Sequence, residues 1–133
     1  MESSLLSTTI EALSNPDIAI CTEACERLHR EAKDKDIPIL LQLLQNEDSF
    51  IREAAAWPLA ELAGPRVLPE LFSAYQRGFD EGCDNDGFTG ALLEIPGLHL
   101  RETKLALQQI ISSANEPIID HARWLLAFCE ANN

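Results

Sequence analysis

Three side chains that could bind a metal ion follow one another at helical spacing. Cys21, Cys25 and His29 are four residues apart, so on a helix they share one face. Thiolates and imidazoles are preferred zinc ligands, but a tetrahedral site needs a fourth ligand, and three turns of a straight helix do not converge on one ion. The pattern favours small buried cysteines beside a surface histidine. We expect neither a metal nor a cofactor.

An acidic segment, residues 84–87, is the second candidate for ion chemistry. If Gly87 takes the glycine position of a calcium-binding EF-hand loop, the first and last ligand positions fall on Gly82 and Leu93, which cannot ligate. An EF-hand is therefore excluded, and only a weak, non-specific cation site is left open. The chain also lacks a phosphate-binding glycine loop, a serine nucleophile elbow and a catalytic pair of carboxylates. We predict no catalytic residues and a protein that is not an enzyme.

Acidic and aromatic side chains remain as candidates for binding. The chain carries 22 acidic and 10 basic residues, a formal charge of −12. A field of this sign repels nucleic acids and anionic membranes and attracts cationic proteins, so we predict a basic protein partner. The candidate partner-binding residues are Glu23, Glu26, Glu53, Trp57, Glu61, Phe79, Asp80, Glu81, Asp84, Asp86, Asp120 and Trp124.

The elements that must position these side chains are written to a repeated template. In each copy a polar residue that can cap a helix is followed by apolar or small residues three, four and four positions further on. The copies are Asp17/Ile20/Ala24/Leu28, Asp48/Ile51/Ala55/Leu59, Asp84/Gly87/Ala91/Ile95 and Asn115/Ile118/Ala122/Leu126. They begin 31, 36 and 31 residues apart, which is typical of a stacked helical array.

A second helical pattern precedes each copy, so the sequence predicts one all-α domain, an α-solenoid of about four helix pairs. The approximate units are 1–34, 35–64, 65–97 and 98–133. Asp36 is predicted to cap the helix that follows it. Unit three is about five residues longer between its two helices than the other units are, and its second helix is predicted to be short, from about Gly87 to Ile95. The extra residues, within 77–87, are expected in a loop that either binds a partner or is a tolerated insertion.

Residues 46–64 of unit two show an aspartate, an aliphatic–arginine pair, an alanine cluster, a leucine and a glycine near the end. This pattern resembles a HEAT repeat, and Arg52 occupies the family's arginine position. In the other units that position holds Cys21, Phe88 and Ile119. The resemblance implies a right-handed stack of antiparallel helix pairs whose second helices line a concave surface. It also implies a scaffold or adaptor without catalytic activity.

Two tryptophans occupy the same template position. Trp57 lies opposite the apolar stripe of its helix, and Trp124 takes the equivalent place in unit four, where Glu26 and Leu93 stand in the other two units. They are either anchors on the concave surface or fillers between units. The acids on the second helices are expected to make that surface negative.

The sequence therefore favours a protein-binding module with an acidic concave surface. One use would be to inhibit a basic partner, as bacterial immunity proteins do with nuclease-type toxins. The alternatives are a HEAT-like bilin lyase or chaperone resembling the phycobilisome lyase group, with Cys83 or the unit-three loop near its ligand, and a plain assembly scaffold. Without a signal peptide or anchor, and with free thiols, we expect a cytoplasmic protein, with a monomer favoured.

Overall fold

Residues 1–131 are described by a computed structural model, and within them the fold is entirely helical. Two short 3₁₀ turns, at Asp34–Asp36 and Gly64–Val67, precede the third and fifth helices. The helices are α1 (Ser3–Leu13), α2 (Ile18–Glu31), α3 (Ile37–Leu43), α4 (Ser49–Leu62), α5 (Leu68–Asp80), α6 (Asp86–Leu98), α7 (Leu100–Ser113) and α8 (Glu116–Ala131). The predicted four helix pairs are thus present. None of the described helices is long and apolar enough to cross a bilayer.

Two of the predicted aspartate caps begin second helices. The carboxylate of Asp17 accepts a hydrogen bond from the backbone N–H of Ala19, and that of Asp48 from the N–H of Phe50, each at 2.9 Å. These bonds satisfy N–H groups that the first turn of a helix leaves unpaired. The template's polar position therefore sets where α2 and α4 start.

Asp36 does not cap α3, and that prediction is wrong. Its buried carboxylate instead accepts hydrogen bonds from the Met1 ammonium and from the backbone N–H of Lys33, each at 2.8 Å. Burial alone would raise the pKa of Asp36, but these two hydrogen bonds and the ammonium charge outweigh it, and the pKa lies below its usual value. The carboxylate ties the start of the chain to the entry of α3, because both of its donors lie outside the helix it precedes.

The template alanines are buried among the packed helices. Ala24, Ala55, Ala91 and Ala122 each expose 3% or less of their surface. α4 is the central helix, packed against α2, α3, α5 and α6. A methyl side chain at this position lets neighbouring helices come close without a cavity.

Unit three differs from its predicted form. α6 continues to Leu98, three residues beyond the expected end at Ile95, because Ile95 and Pro96 are both buried and anchor its last turn. The extra residues also do not form one long loop, since α5 extends to Asp80 and only residues 81–85 separate it from α6. Phe79 and Asp80 therefore lie on a helix.

Unit four packs the opposite way round from units one to three. In the first three units the second helices α2, α4 and α6 lie side by side. In unit four the first helix, α7, packs against α6, and the second helix, α8, packs mainly against α5 and α7. The layer of second helices consequently ends at α6.

Candidate protein-interaction surfaces

The predicted binding residues separate into two surfaces and a set with structural partners. The first surface, here the second-helix face, is formed by the exposed sides of α2, α4 and α6 around Trp57. The second, here the aromatic seam, lies where α8 crosses α5 and contains Tyr75, Phe79, His121 and Trp124. The inversion of unit four separates the two tryptophans, which the template had placed at equivalent positions.

α4 contributes a single stripe to the second-helix face. After its first residue, the side chains not buried along the helix are Phe50, Glu53, Trp57, Glu61 and Leu62. Their spacing of three or four residues keeps the first four of them on one side, opposite Ala55. The rest of α4 is enclosed by its neighbours, so this stripe is the part of the helix that a partner can reach.

Trp57 lies at the centre of the face and meets the helices on both sides of α4. Its ring centroid is 5.7 Å from that of His29 on α2. On the other side, a Cβ atom at Gly90 of α6 would come within 3.1 Å of the indole. Trp57 is half-buried, so it both fills the space between second helices and lines a shallow depression with Cys25, Glu26 and His29.

A second shallow depression lies on α6 and reaches the indole of Trp57 at Gly90. Gly90, Leu93, Glu94, Gly97 and Leu98 line it. Leu98 exposes 53% of its surface, and a Cβ atom at Gly97 would meet nothing within 4 Å. The two glycines, seven residues apart on one side of α6, leave an open apolar floor next to the indole.

Carboxylates border this apolar floor, and the basic side chains near them belong to α2, where Arg30 lies one turn after Glu26 and pairs with Glu31 at 3.9 Å. Glu26, Glu61 and Glu94 are all exposed. Glu61 accepts a hydrogen bond from His29, whose Nε2 lies 2.7 Å from its Oε1. The only lysine or arginine in α4 is the buried Arg52, and α6 has none. The face therefore presents negative charge around apolar surface.

Glu53 has a structural partner as well as a place in the stripe. Its carboxylate accepts a hydrogen bond from the backbone N–H of Phe88 in the first turn of α6. Burial and the nearby charge of Asp84 raise the pKa of Glu53, although the Phe88 bond opposes them. A Cβ atom at Gly87 would lie 2.5 Å from this carboxylate, so the glycine permits the close approach.

Glu81 is held by two arginines. It accepts hydrogen bonds from Arg52 at 2.7 Å and Arg77 at 2.8 Å, and these bonds, despite some desolvation, lower its pKa. Arg52 is 2% exposed and also donates to the backbone carbonyls of Asn46 and Glu47. The arginine that carries the family resemblance thus connects α4 to the turn between α5 and α6.

Three other predicted acids lie at the margins. Glu23 pairs with Arg27 at 3.0 Å, on the side of α2 that faces away from α4. Asp84 accepts a hydrogen bond from the N–H of Asp86 at 2.9 Å, and both are exposed before or within the first turn of α6. None of these three acids lines the depression around Trp57.

The aromatic seam brings together rings from two distant segments. The ring of Tyr75 lies 4.9 Å from that of Phe79, 4.9 Å from that of His121 and 6.1 Å from that of Trp124, which it stacks against. Phe79 also stacks on His121 at 5.9 Å. Sequence reasoning missed Tyr75 and His121 because only the unforeseen packing of α8 on α5 makes them neighbours.

Hydrogen bonds of Gln76 fix side chains of both helices in the aromatic seam. Gln76 donates to Asp80 at 2.8 Å and accepts from His121 at 2.8 Å. Burial lowers the pKa of His121, with a smaller opposing contribution from Asp120, so the ring is neutral at pH 7. Asp120 is mostly exposed and lies 3.7 Å from Arg123.

The thiols and carboxylates do not assemble into a metal site within residues 1–131, where no three or more His, Cys, Asp or Glu side chains are placed to hold an ion. The four cysteines are free. Burial, with the charge of Glu53 adding to it, raises the pKa of Cys25, so its thiol is protonated at neutral pH.

The chain matches a known protein family. A family model described as HEAT repeats matches residues 6–83, which is more than half of the chain and includes the region of closest sequence resemblance. No curated protein and no solved structure matches.

Proposed function

The chain belongs to the HEAT-repeat family, and from that premise we propose that it is a protein-binding module whose second-helix face recognises a basic protein. HEAT repeats generally serve as protein-interaction scaffolds. The observation that carries the proposal is the setting of Trp57: a half-buried indole beside an apolar floor, bordered by Glu26, Glu61 and Glu94.

This setting supports contact with a partner that has apolar and cationic groups side by side. A large ring in a partly desolvated position is the type of residue on which binding energy concentrates. The surrounding carboxylates steer a cationic partner and pair with its lysines and arginines at the rim. Inhibition of a basic nuclease-type toxin is the use that fits this chemistry best, because such an enzyme presents cationic surface to phosphate and an acidic face can cover it.

The test uses an amphipathic lysine–leucine helical peptide as the probe and fluorescence anisotropy as the measurement. We expect binding that weakens as NaCl rises from low to physiological concentration. The triple variant Glu26→Lys, Glu61→Lys, Glu94→Lys should bind about tenfold more weakly or worse, because each reversal places a cation at the rim.

The matched control is the triple variant Glu2→Lys, Glu11→Lys, Glu102→Lys, which changes the net charge by the same amount. All three positions are exposed: Glu2 precedes α1, Glu11 lies on α1 and Glu102 lies on α7. It should retain most of the affinity. Equal losses in the two triple variants would show that the peptide responds to net charge alone and would overturn the assignment of the face. Trp57→Phe should also weaken binding, since it removes indole area without changing charge.

A further inference from the structure

The aromatic seam exposes two rings that nothing in the described part of the chain covers. Phe79 is 51% exposed and Trp124 38% exposed, whereas Tyr75 between them is buried. The seam is formed by side chains of α5 and α8, whereas residues of α2 and α4 line the depression around Trp57. Neighbouring exposed aromatic rings are typical of surfaces that a partner contacts.

Hydrogen bonds hold the two rings on which Phe79 and Trp124 pack, those of Tyr75 and His121. The hydroxyl of Tyr75 lies 2.6 Å from that of Thr89, and His121 donates to Gln76. Phe79 and Trp124 pack against these fixed rings, which limits the conformational freedom that they lose when a ligand stacks on them, so less of the interaction energy is lost to ordering.

The charges beside the seam select a cation. Asp80 directly follows Phe79 and is held by Gln76, and Asp120 lies one helical turn before Trp124. Aromatic faces attract cations through their quadrupole, and the attraction favours a planar guanidinium that stacks on a ring while its N–H groups reach carboxylates. Arg123, 3.7 Å from Asp120, is a cation of this chain that neighbours the seam, and its side chain is 60% exposed.

We infer that the aromatic seam is a second binding surface and that it takes an arginine side chain of a protein partner, stacked against Phe79 or Trp124 and paired with Asp80 or Asp120. This surface does not depend on the second-helix face. A partner that engages both would be held at two points on the molecule.

The two tryptophans allow the site to be located. Trp57→Phe leaves Trp124 as the only indole, and Trp124→Phe leaves Trp57. Each protein is titrated, at physiological salt, with acetylated and amidated Gly-Arg-Gly peptides and with matched peptides that carry lysine or the neutral isostere citrulline. We expect the arginine peptide to change Trp124 fluorescence saturably and to leave Trp57 nearly unchanged.

Arginine should bind about two- to fivefold more tightly than lysine, the size of a cation–π difference at an exposed site. Citrulline should bind far more weakly than either. Equal affinity for arginine and citrulline would overturn the role of charge, and equal affinity for arginine and lysine would overturn the role of the guanidinium. If the fluorescence of Trp124 does not change on titration with the arginine peptide, the assignment of the aromatic seam as the binding surface is wrong.

Variants test the two halves of the surface. Asp80→Asn with Asp120→Asn should reduce affinity severalfold, while the control Glu102→Gln with Glu130→Gln, which alters net charge equally elsewhere, should not. Phe79→Ala should also reduce affinity, with circular dichroism to confirm the fold. If the Phe79→Ala variant does not fold, the affinity of the Asp80→Asn, Asp120→Asn double variant tests the inference instead. This double variant should stay folded, because the amide oxygen introduced by Asp80→Asn still accepts a hydrogen bond from Gln76. Identical affinities for the asparagine pair and its control would contradict the inference.

Discussion

Glu53 is a carboxylate whose ionisation the fold disfavours. Its pKa is raised by burial and by Asp84, so the folded state holds its proton more tightly than the unfolded state does. Ionisation of Glu53 therefore lowers the free energy of unfolding. This loss is absent below the ordinary pKa of 4.5 and develops as the pH rises through the higher pKa that Glu53 has in the folded protein.

Glu53→Gln should consequently raise the free energy of unfolding at pH 7. Glutamine keeps an oxygen that can accept the Phe88 N–H while losing the repulsion from Asp84. The gain over the natural protein should shrink towards zero when urea unfolding is measured at a pH of about 3.5, where Glu53 is protonated. Glu102→Gln, at an exposed position, should show no comparable gain. A gain that is equal at both pH values would contradict the electrostatic explanation.

The roles of individual acids show the limit of sequence reasoning at this scale. Helical periodicity placed Glu53 and Trp57 correctly on the outer stripe of α4, because that depends on local spacing alone. The partners of Glu53 and Glu81 come from distant parts of the chain, at Phe88 and Arg52. A pattern within one helix carries no information about such contacts.

At the scale of the elements, substitution by alanine should have opposite effects on stability at two glycines, Gly64 and Gly97. Gly64 lies after α4 with a φ of +59°, and a Cβ atom there would lie 3.0 Å from the ring of His99. Gly64→Ala should cost about 1–2 kcal/mol of stability, from the left-handed backbone and the crowding together.

Gly97→Ala is the matched comparison. It lies in the last turn of α6, where a Cβ atom meets nothing, so alanine should add about 0.5 kcal/mol through helix propensity. Urea unfolding followed by circular dichroism measures both changes. Destabilisation of similar size in the two variants would show that the backbone conformation of Gly64 is not what matters.

The elements themselves were largely predictable from the sequence, and their arrangement in unit four was not. Capping residues and apolar periodicity predicted each of the eight helices found within residues 1–131, since these signals are local. The extension of α6 through Pro96 depends on burial against other helices. The inverted packing of α7 and α8 depends on contacts such as His121 with Gln76, which the shared template does not encode.

At the scale of the whole molecule, excess negative charge acts on stability as well as on binding. A formal charge of −12 repels itself in the compact state, and salt screens charges beyond about 10 Å at 0.1 M. We expect the melting temperature to rise by about 2–5 °C between about 20 and 300 mM NaCl, as measured by calorimetry.

The variant Glu11→Gln, Glu102→Gln, Glu130→Gln provides the control, because it removes three exposed charges. It should melt at a higher temperature at low salt and respond less to NaCl. A salt response that stays unchanged in this variant would point to a general salt effect rather than to self-repulsion.

The enclosure of α4 also restricts how the protein can evolve. Eight of its fourteen residues are buried, so most substitutions in this helix act on stability before they act on binding. A lineage adapting to a changed partner could vary α4 mainly along its exposed stripe, at Phe50, Glu53, Trp57 and Glu61. Glu53 is further constrained by its bond to Phe88. Among related chains, rapid divergence at Phe50, Trp57 and Glu61 beside an invariant alanine core would be the expected trace of changing partners.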